Sequence, residues 1–152
     1  MTIDQFQGEH RFLSNFYLCT VKAWGTEFPS AEHAYQASKS SDPADYARIA
    51  EMSSPGEAKR AGQKLPLRPD WEKVKKQAML RALLAKFIQN PELGERLAAT
   101  RPHFLVEGNT WHDNYWGHCS CPRCGTTPGT GQNYLGQLLM AVRLVVTVDE
   151  GS

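Results

Sequence analysis

The feature that most constrains the fold is a run of helical periodicity at the centre of the chain, residues 70–89. Apolar residues recur there at i, i+3, i+4 and i+7, which is typical of one face of an α-helix. They are Trp71, Val74, Ala78, Ala82 and Ala85, flanked by Met79, Leu83 and Phe87. Charged residues occupy the other face: Glu72, Lys73, Lys75, Lys76 and Arg81. A helix with this pattern needs other elements to cover its apolar face, so it indicates a packed globular domain.

Capping residues and prolines mark shorter helices around this run. The sequence predicts them at residues 31–40, 43–50, 55–62, 91–99 and 132–146. Aromatic and β-branched residues predict a strand within 11–24, a turn at 25–26, a second strand ending at 28–29 and a short strand at 104–107. The stretch 108–131 is predicted to be loop. The expected class is α+β, mainly α, as a single domain over residues 1–152 with a small β element near its N-terminus.

Composition excludes several functional classes. The 152 residues carry 17 Lys and Arg against 16 Asp and Glu, a net charge of +1, so no global field attracts nucleic acid or an anionic membrane. No apolar run is long enough to span a bilayer, and the N-terminus lacks the pattern of a secretory signal. Three of the four cysteines lie within six residues, unlike a secreted disulfide framework. We therefore expect a soluble, cytoplasmic protein with no membrane partner.

One polar stripe is predicted on the helix at 31–40. Glu32, Tyr35, Gln36 and Lys39 fall at i, i+3, i+4 and i+7 and so share one face. Carboxylate, phenol, amide and amine groups on one face can serve acid–base chemistry. The alternative is a solvated surface stripe, with Glu32 placed in the first turn by the helix dipole.

A second polar site is predicted within residues 111–117. Three large aromatic residues, Trp111, Tyr115 and Trp116, surround Asp113 in the sequence. Such a cluster suits a pocket that stacks a planar ring beside a carboxylate, or alternatively it packs the loop onto the core. The glycines at 129 and 131, just before the last helix, would suit a phosphate cradle at its N-terminus.

The cysteine-rich stretch that follows has the donor set of a zinc site. Cys119, Cys121 and Cys124 would supply three thiolates, with His118 as the predicted fourth ligand. Because the spacing does not fix the fourth ligand, His112 is a second candidate. A reduced loop without metal is the alternative to this structural zinc, and a small zinc-bearing interaction domain is one functional alternative for the chain. No cofactor is expected for the chemistry itself.

Beyond these separate features, motifs along the chain match one known family in order. They are FLSNFY at 12–17, FPSAEHAYQASK at 28–39, RPDW at 68–71 with Lys75 and Met79, KFIQN at 86–90, DNYWG at 113–117, and GQNYLGQLLM at 131–140 with Arg143. Together they resemble the NADAR family, over about residues 6–146.

This resemblance implies a compact, mostly helical fold and N-glycosidase activity. Two substrate groups are associated with the family: phosphorylated ribosylamino-pyrimidines of riboflavin biosynthesis, and guanine that carries ADP-ribose on its exocyclic amine. Both have a ribose C1 attached to an exocyclic amine, and the sugar ring of such a glycosylamine can open to give an imine. The expected partners are a small nucleotide-like substrate or ADP-ribosylated nucleic acid, and an ADP-ribosyltransferase toxin.

The resemblance also implies roles for individual residues. Glu32 would be the general acid or base, Lys39 an electrostatic clamp or an amine that captures the opened sugar, and Asp113 a group that orients the sugar or activates water. The residues expected to bind substrate are Asn15, Phe16, Tyr35, Gln36, Arg68, Trp71, Trp116, Gly117 and Asn133. A non-catalytic module that binds ADP-ribose or a nucleotide through the same residues is the alternative to an enzyme.

Overall fold

A computed structural model describes residues 1–124 and 131–151, with side chains to residue 147. A 3-10 helix covers Gly8–Leu13. The strands are β1 (Thr2–Ile3), β2 (Leu18–Ala23), β3 (Thr26–Ser30), β4 (Phe104–Leu105), β5 (Gly108–Asn109) and β6 (His118–Cys119). The helices are α1 (Ala31–Ala37), α2 (Pro43–Ala50), α3 (Pro55–Gln63), α4 (Trp71–Gln89), α5 (Pro91–Ala98) and α6 (Tyr134–Gly151).

These elements form two compact units. One unit is Asn15–Pro91, which contains the β2–β3 pair and helices α1 to α4. The other combines Met1–Ser14 with the chain from Glu92 onward, and contains α5, α6 and the short strands. The prediction of a single domain stays a prediction.

In the 15–91 unit, an antiparallel hairpin is followed directly by α1. The hairpin turns at Trp24 and Gly25, both with positive φ (54° and 72°), a conformation that glycine adopts without strain. Strand β3 runs into α1 at Ser30, whose hydroxyl accepts a hydrogen bond from the His33 backbone N–H at 3.0 Å. This cap fixes where the helix begins. The hydrophobic core lies between these elements: Val21, Phe28, Ala34, Ala37, Ile49, Ala58, Leu65 and Ala82.

Helices α2 and α3 begin at Pro43 and Pro55, as their prolines predict, and a side chain caps each of them. Asp42 accepts a hydrogen bond from Ala44 N–H at 3.0 Å, and Ser54 accepts one from Glu57 N–H at 3.1 Å. Proline follows each cap at the first helical position, where its missing N–H costs nothing. The long helix α4 buries Trp71, Ala78, Met79, Ala82, Leu83, Lys86 and Phe87. The predicted apolar stripe is therefore confirmed, except that Val74 and Ala85 are only half-buried and a lysine joins it.

The second unit is organised around α6 and two parallel strand pairs. Strand β1 pairs with β4, and β5 pairs with β6 through Gly108–His118 and Asn109–Cys119. Helix α6 buries Leu135, Leu139, Val142 and Val146, as its spacing predicts. The expected class, mainly α with small β elements, is confirmed. Residues 108–119, predicted to be loop, contain β5 and β6, and the predicted strand at 104–107 is limited to 104–105. No helix among the described residues is long and apolar enough to cross a membrane.

Candidate active site

The polar stripe of α1 lies inside the 15–91 unit. Glu32, Tyr35 and Gln36 are 7%, 7% and 3% exposed, so the alternative of a solvated surface stripe is wrong. All seven residues of α1 are buried because β2, β3 and the other three helices of this unit pack around it. Polar side chains with so little exposure need defined partners.

Gln36 and Asn15 both form hydrogen bonds with Glu32. Its carboxylate Oε1 accepts a hydrogen bond from Gln36 Nε2 at 2.8 Å, one helical turn along the stripe. Its backbone N–H donates to the carbonyl oxygen of Asn15 at 3.0 Å, which fixes residue 15 beside the start of the helix. The sequence-predicted residues Asn15, Glu32 and Gln36 are therefore brought together in one group.

Two acceptor oxygens in this group have no hydrogen-bond partner within the described part of the chain. They are Asn15 Oδ1 and Gln36 Oε1, both buried. The amide nitrogens of the same side chains are engaged, Asn15 Nδ2 with the sulfur of Met79 at 3.3 Å and Gln36 Nε2 with Glu32. An unsatisfied buried acceptor costs about 1–3 kcal/mol, so either oxygen would be stabilised by a ligand that donates an N–H or O–H group to it.

Lys39 lies at the end of the stripe, half-buried, with Nζ 5.9 Å from the centre of the Tyr35 ring. Burial lowers the pKa of Lys39, the negative charge of Glu32 opposes that shift, and Lys59 adds to it. A lysine with a lowered pKa is closer to the neutral form that a nucleophilic amine requires. Both roles expected for Lys39, clamp and amine, stay predictions.

An aromatic pair lies next to the stripe. The rings of Tyr35 and Trp71 are 5.5 Å apart between centroids at 51°, and Trp71 is 6% exposed. Arg68 approaches through its backbone N–H, which donates to the Lys39 carbonyl oxygen at 2.8 Å. Its guanidinium binds both carboxylate oxygens of Asp70, at 2.6 and 3.1 Å. Phe16 is half-buried in the same unit, and its predicted contact with substrate stays a prediction.

One buried cation in this unit was not predicted as a site residue. Lys86 is fully buried, with Nζ 5.7 Å from the Tyr17 ring centre and 5.0 Å from that of Phe87. Burial lowers its pKa to about 8, while the neighbouring Cys19 acts in the opposite direction. The sequence did carry a signal, because Lys86 follows Ala82 by four residues on the buried stripe of α4.

The remaining predicted residues belong to the second unit. Asp113 Oδ1 accepts hydrogen bonds from the backbone N–H groups of Tyr115 and Trp116, at 3.1 and 2.9 Å. The carboxylate therefore shapes the turn that presents the aromatic residues. Tyr115 contacts the ring of Trp116 edge-on at 4.7 Å, whereas Trp111 is 54% exposed and does not pack the loop onto a core.

Gly117 and Asn133 have close backbone neighbours. A Cβ on Gly117 would collide with the backbone oxygen and carboxylate of Glu107, so only glycine fits there. The side chain of Asn133 accepts from Glu107 N–H at 3.0 Å and donates to the Leu105 carbonyl at 2.9 Å. Contact of either residue with substrate stays a prediction.

The predicted phosphate cradle at the start of α6 is wrong for the described residues. The backbone N–H groups at positions 132–135 already donate to the carbonyl oxygens of residues 114–117, at 2.8 to 3.1 Å. These bonds satisfy the amides that would otherwise bind an anion at a helix N-terminus. Residues 129 and 130 of the proposed cradle lie outside the described residues.

The cysteine segment forms a compact donor cluster in this unit. One ligand atom from each of His112, Cys119, Cys121 and Cys124 lies within 4.8 Å of the others, and the four residues could hold a metal ion. The prediction of His118 as fourth ligand is wrong. His118 Nδ1 instead accepts from Gly131 N–H at 3.1 Å, while His112 turns back toward the three thiols.

Comparison with known proteins identifies the family. Residues 3–146 match the model of the NADAR domain. The chain belongs to the NADAR family. It is 41% identical over 139 residues to the N-glycosidase YbiA of Escherichia coli (strain K12). This alignment covers 90% of this chain and 82% of that protein. The solved NMR structure of E. coli YbiA superimposes with a TM-score of 0.81 at 38% identity, over 99% of this chain and 86% of that one.

Two other relatives are named for an enzyme activity or a biosynthetic pathway. An N-glycosidase of Nostoc punctiforme is 37% identical, covering 86% of this chain and 81% of its own. A riboflavin biosynthesis protein of Vibrio vulnificus is 34% identical over 88% of this chain but only 35% of its own length. The expectation of an N-glycosidase is thereby confirmed at the level of enzyme class, which sets aside the non-catalytic binding module.

Proposed function

We propose that this protein hydrolyses the bond between ribose C1 and an exocyclic amine of a phosphorylated ribosylamino-pyrimidine. The observation that carries the proposal is the buried Glu32 carboxylate with the two unpartnered acceptors Asn15 Oδ1 and Gln36 Oε1 in its group. Ribose hydroxyls and ring amines are donors that such acceptors would bind. The relative associated with riboflavin biosynthesis supports this substrate class.

The reaction needs one proton delivered and one removed. Water adds its oxygen to C1, the C1–N bond breaks with its electron pair moving to the amine, and the amine takes a proton. The products are free aminopyrimidine and ribose 5-phosphate. In this proposal Glu32 delivers that proton and recovers one from the attacking water.

Gln36 of α1 and Lys39, two residues beyond its end, assist this carboxyl group. Gln36 fixes its orientation through the 2.8 Å hydrogen bond to Oε1, and Lys39 balances its charge. The Tyr35–Trp71 pair offers an aromatic surface for the pyrimidine ring. The catalytic role that the family resemblance implies for Asp113 is also part of the proposal.

The test is turnover by the purified protein. The wild type, Glu32→Gln and Glu95→Gln are incubated with the ribosylamino-pyrimidine phosphate, and release of ribose 5-phosphate is followed by mass spectrometry. Glu32→Gln keeps an oxygen for Gln36 to bind but loses the proton, so we expect a loss of roughly 100-fold or more. Glu95 is exposed on α5, and its variant should retain full turnover.

A second substrate tests the choice of leaving group. An oligonucleotide with ADP-ribose on the exocyclic amine of guanine is treated in parallel. Release of ADP-ribose with no turnover of the small substrate would refute the pyrimidine proposal and place the chain among guanine de-ADP-ribosylating enzymes. Equal turnover by wild type and Glu32→Gln on either substrate would refute the role of Glu32.

A further inference from the structure

We propose that His112, Cys119, Cys121 and Cys124 bind one Zn²⁺ ion in a structural site. The cluster lies in the second unit, and none of its members is among the residues to which we assign catalysis. Three thiolates and one imidazole are a common ligand set of structural zinc, whereas iron–sulfur clusters ordinarily use four cysteines.

The distances from His112 Nδ1 to the three sulfur atoms suit a tetrahedral site. Nδ1 of His112 lies 3.4 Å from Cys124 Sγ, 3.3 Å from Cys121 Sγ and 4.0 Å from Cys119 Sγ. With Zn–S bonds of about 2.3 Å and a Zn–N bond of about 2.1 Å, tetrahedral geometry places nitrogen and sulfur about 3.6 Å apart. The observed separations bracket this value.

Hydrogen bonding alone does not account for the arrangement. A neutral imidazole nitrogen carries either one proton or one lone pair, and it therefore forms one good hydrogen bond. Here three sulfur atoms from three different residues surround the same Nδ1. All cysteines are free thiols, so no disulfide explains their proximity. A single cation at the centre satisfies all four groups together.

Hydrogen bonds of the surrounding backbone hold these side chains in position. Asn109, buried next to β6, accepts hydrogen bonds from the backbone N–H groups of residues 111 and 113, both at 3.2 Å, and closes the turn that carries His112. His112 itself has φ 69°, a left-handed conformation unusual for a residue other than glycine. On the other side, Cys119 N–H donates to Asn114 Oδ1 at 2.9 Å, and Cys121 N–H donates to Cys119 Sγ at 3.4 Å.

Four protein ligands leave no open position for water, so this zinc would be structural and not catalytic. Binding displaces protons from the three thiols to solvent, and the ion ties residue 112 to residues 119–124. The turn of Asp113 and Trp116 lies between those anchors in sequence. Loss of the ion should therefore loosen this turn while α1 keeps its structure. Only an effect of this loosening on turnover would rest on the proposed function.

The experiment measures metal directly. Protein purified under reducing conditions without chelator is analysed by inductively coupled plasma mass spectrometry, and we expect one zinc per chain. Exchange for Co²⁺ should give the thiolate-to-metal absorption and visible bands of tetrahedral cobalt. The matched variants are His112→Asn, which suits a positive φ, and His118→Asn, whose Oδ1 can still accept from Gly131. The first should lose the metal and the second should keep it.

Cysteine variants supply a second matched pair. Cys121→Ser should lose the metal, and Cys19→Ala, a cysteine in the other unit, should keep it. If Cys121→Ser does not fold, the metal content and cobalt spectrum of the wild type still decide the proposal. Metal-free wild type with four titratable thiols, a disulfide within the cluster, iron in place of zinc, or retention of zinc in His112→Asn would each overturn it. None of these readouts depends on the substrate.

Discussion

Replacing Gly62 with alanine tests whether the packing of α3 on α1 sets the position of the catalytic group. A Cβ on Gly62 would lie 2.8 Å from Gln36 Cδ and 2.9 Å from Gln36 Cβ, closer than real Cβ atoms approach. The amide of Gln36 must swing away because its Oε1 would collide with the new methyl group, and this breaks its hydrogen bond to Glu32. Gln36 Cβ cannot follow because it is fixed to the backbone of α1. The two helices must therefore move apart.

The magnitude follows from three opposing contributions. Alanine in place of glycine within a helix stabilises by about 1 kcal/mol. Overpacking of a close contact costs about 1–3 kcal/mol. Loss of the hydrogen bond from Gln36 to the Glu32 carboxylate costs about 1.5–3 kcal/mol. Overpacking and the lost hydrogen bond together outweigh the gain, so we expect Gly62→Ala to lower the free energy of unfolding by about 3 kcal/mol.

Gly56 in the same helix provides the matched control. A Cβ there would lie 3.6 Å from Arg60 Nη1, an ordinary contact, so Gly56→Ala should stabilise by up to about 1 kcal/mol. Urea unfolding at constant m gives both values, and turnover is measured on the same samples. We expect Gly62→Ala to lose turnover at least tenfold and Gly56→Ala to keep it. Equal stability of the two variants would refute the packing argument, and full turnover of a destabilised Gly62→Ala would refute the role of Gln36.

Two further predictions concern a buried histidine and the turn of Asp113. Burial lowers the pKa of His33 from 6.5, so the unfolded chain takes up a proton first and the free energy of unfolding falls as pH drops through about 6.5. His33→Gln should flatten this fall in urea unfolding measured between about pH 7.5 and pH 5, and an unchanged pH dependence would refute the assignment. Asp113→Ala should lower the free energy of unfolding by about 1 kcal/mol because Oδ1 no longer accepts hydrogen bonds from Tyr115 and Trp116 N–H. Asp113→Asn should fold normally and lose turnover, and full activity of this variant would show that the carboxylate only shapes the turn.

Much of the 15–91 unit could be predicted because local signals determine it. The 3.6-residue period defines α4, and Ser30, Asp42 and Ser54 start their helices as caps. The burial of the α1 stripe could not be derived from that pattern. A Glu, Gln and Lys face looks like a solvated surface until three neighbouring helices cover it, so tertiary packing decides its environment.

The second unit was harder because its order comes from contacts between distant residues. Strands β5 and β6 have two residues each, too short to show an alternating pattern. His118 is adjacent to the cysteines in sequence, yet His112 reaches them because Asn109 folds the intervening turn. Similarly, the carbonyl oxygens of residues 114–117 accept hydrogen bonds from the backbone N–H groups at the start of α6. The glycines before the helix do not by themselves predict these bonds.

The contacts of Asn109 have a consequence for chimeras in which a segment of this chain is exchanged with that of a relative. Its amide nitrogen donates to the Asp113 carbonyl at 2.8 Å, and its backbone oxygen accepts from Ser120 N–H at 2.9 Å. One residue therefore sets both the carboxylate turn and the cysteine strand. A chimera that transplants only residues 118–124 would carry the thiols into a frame that does not return His112 to them. The smallest transferable piece is residues 107–124, and Asn109 must travel with it.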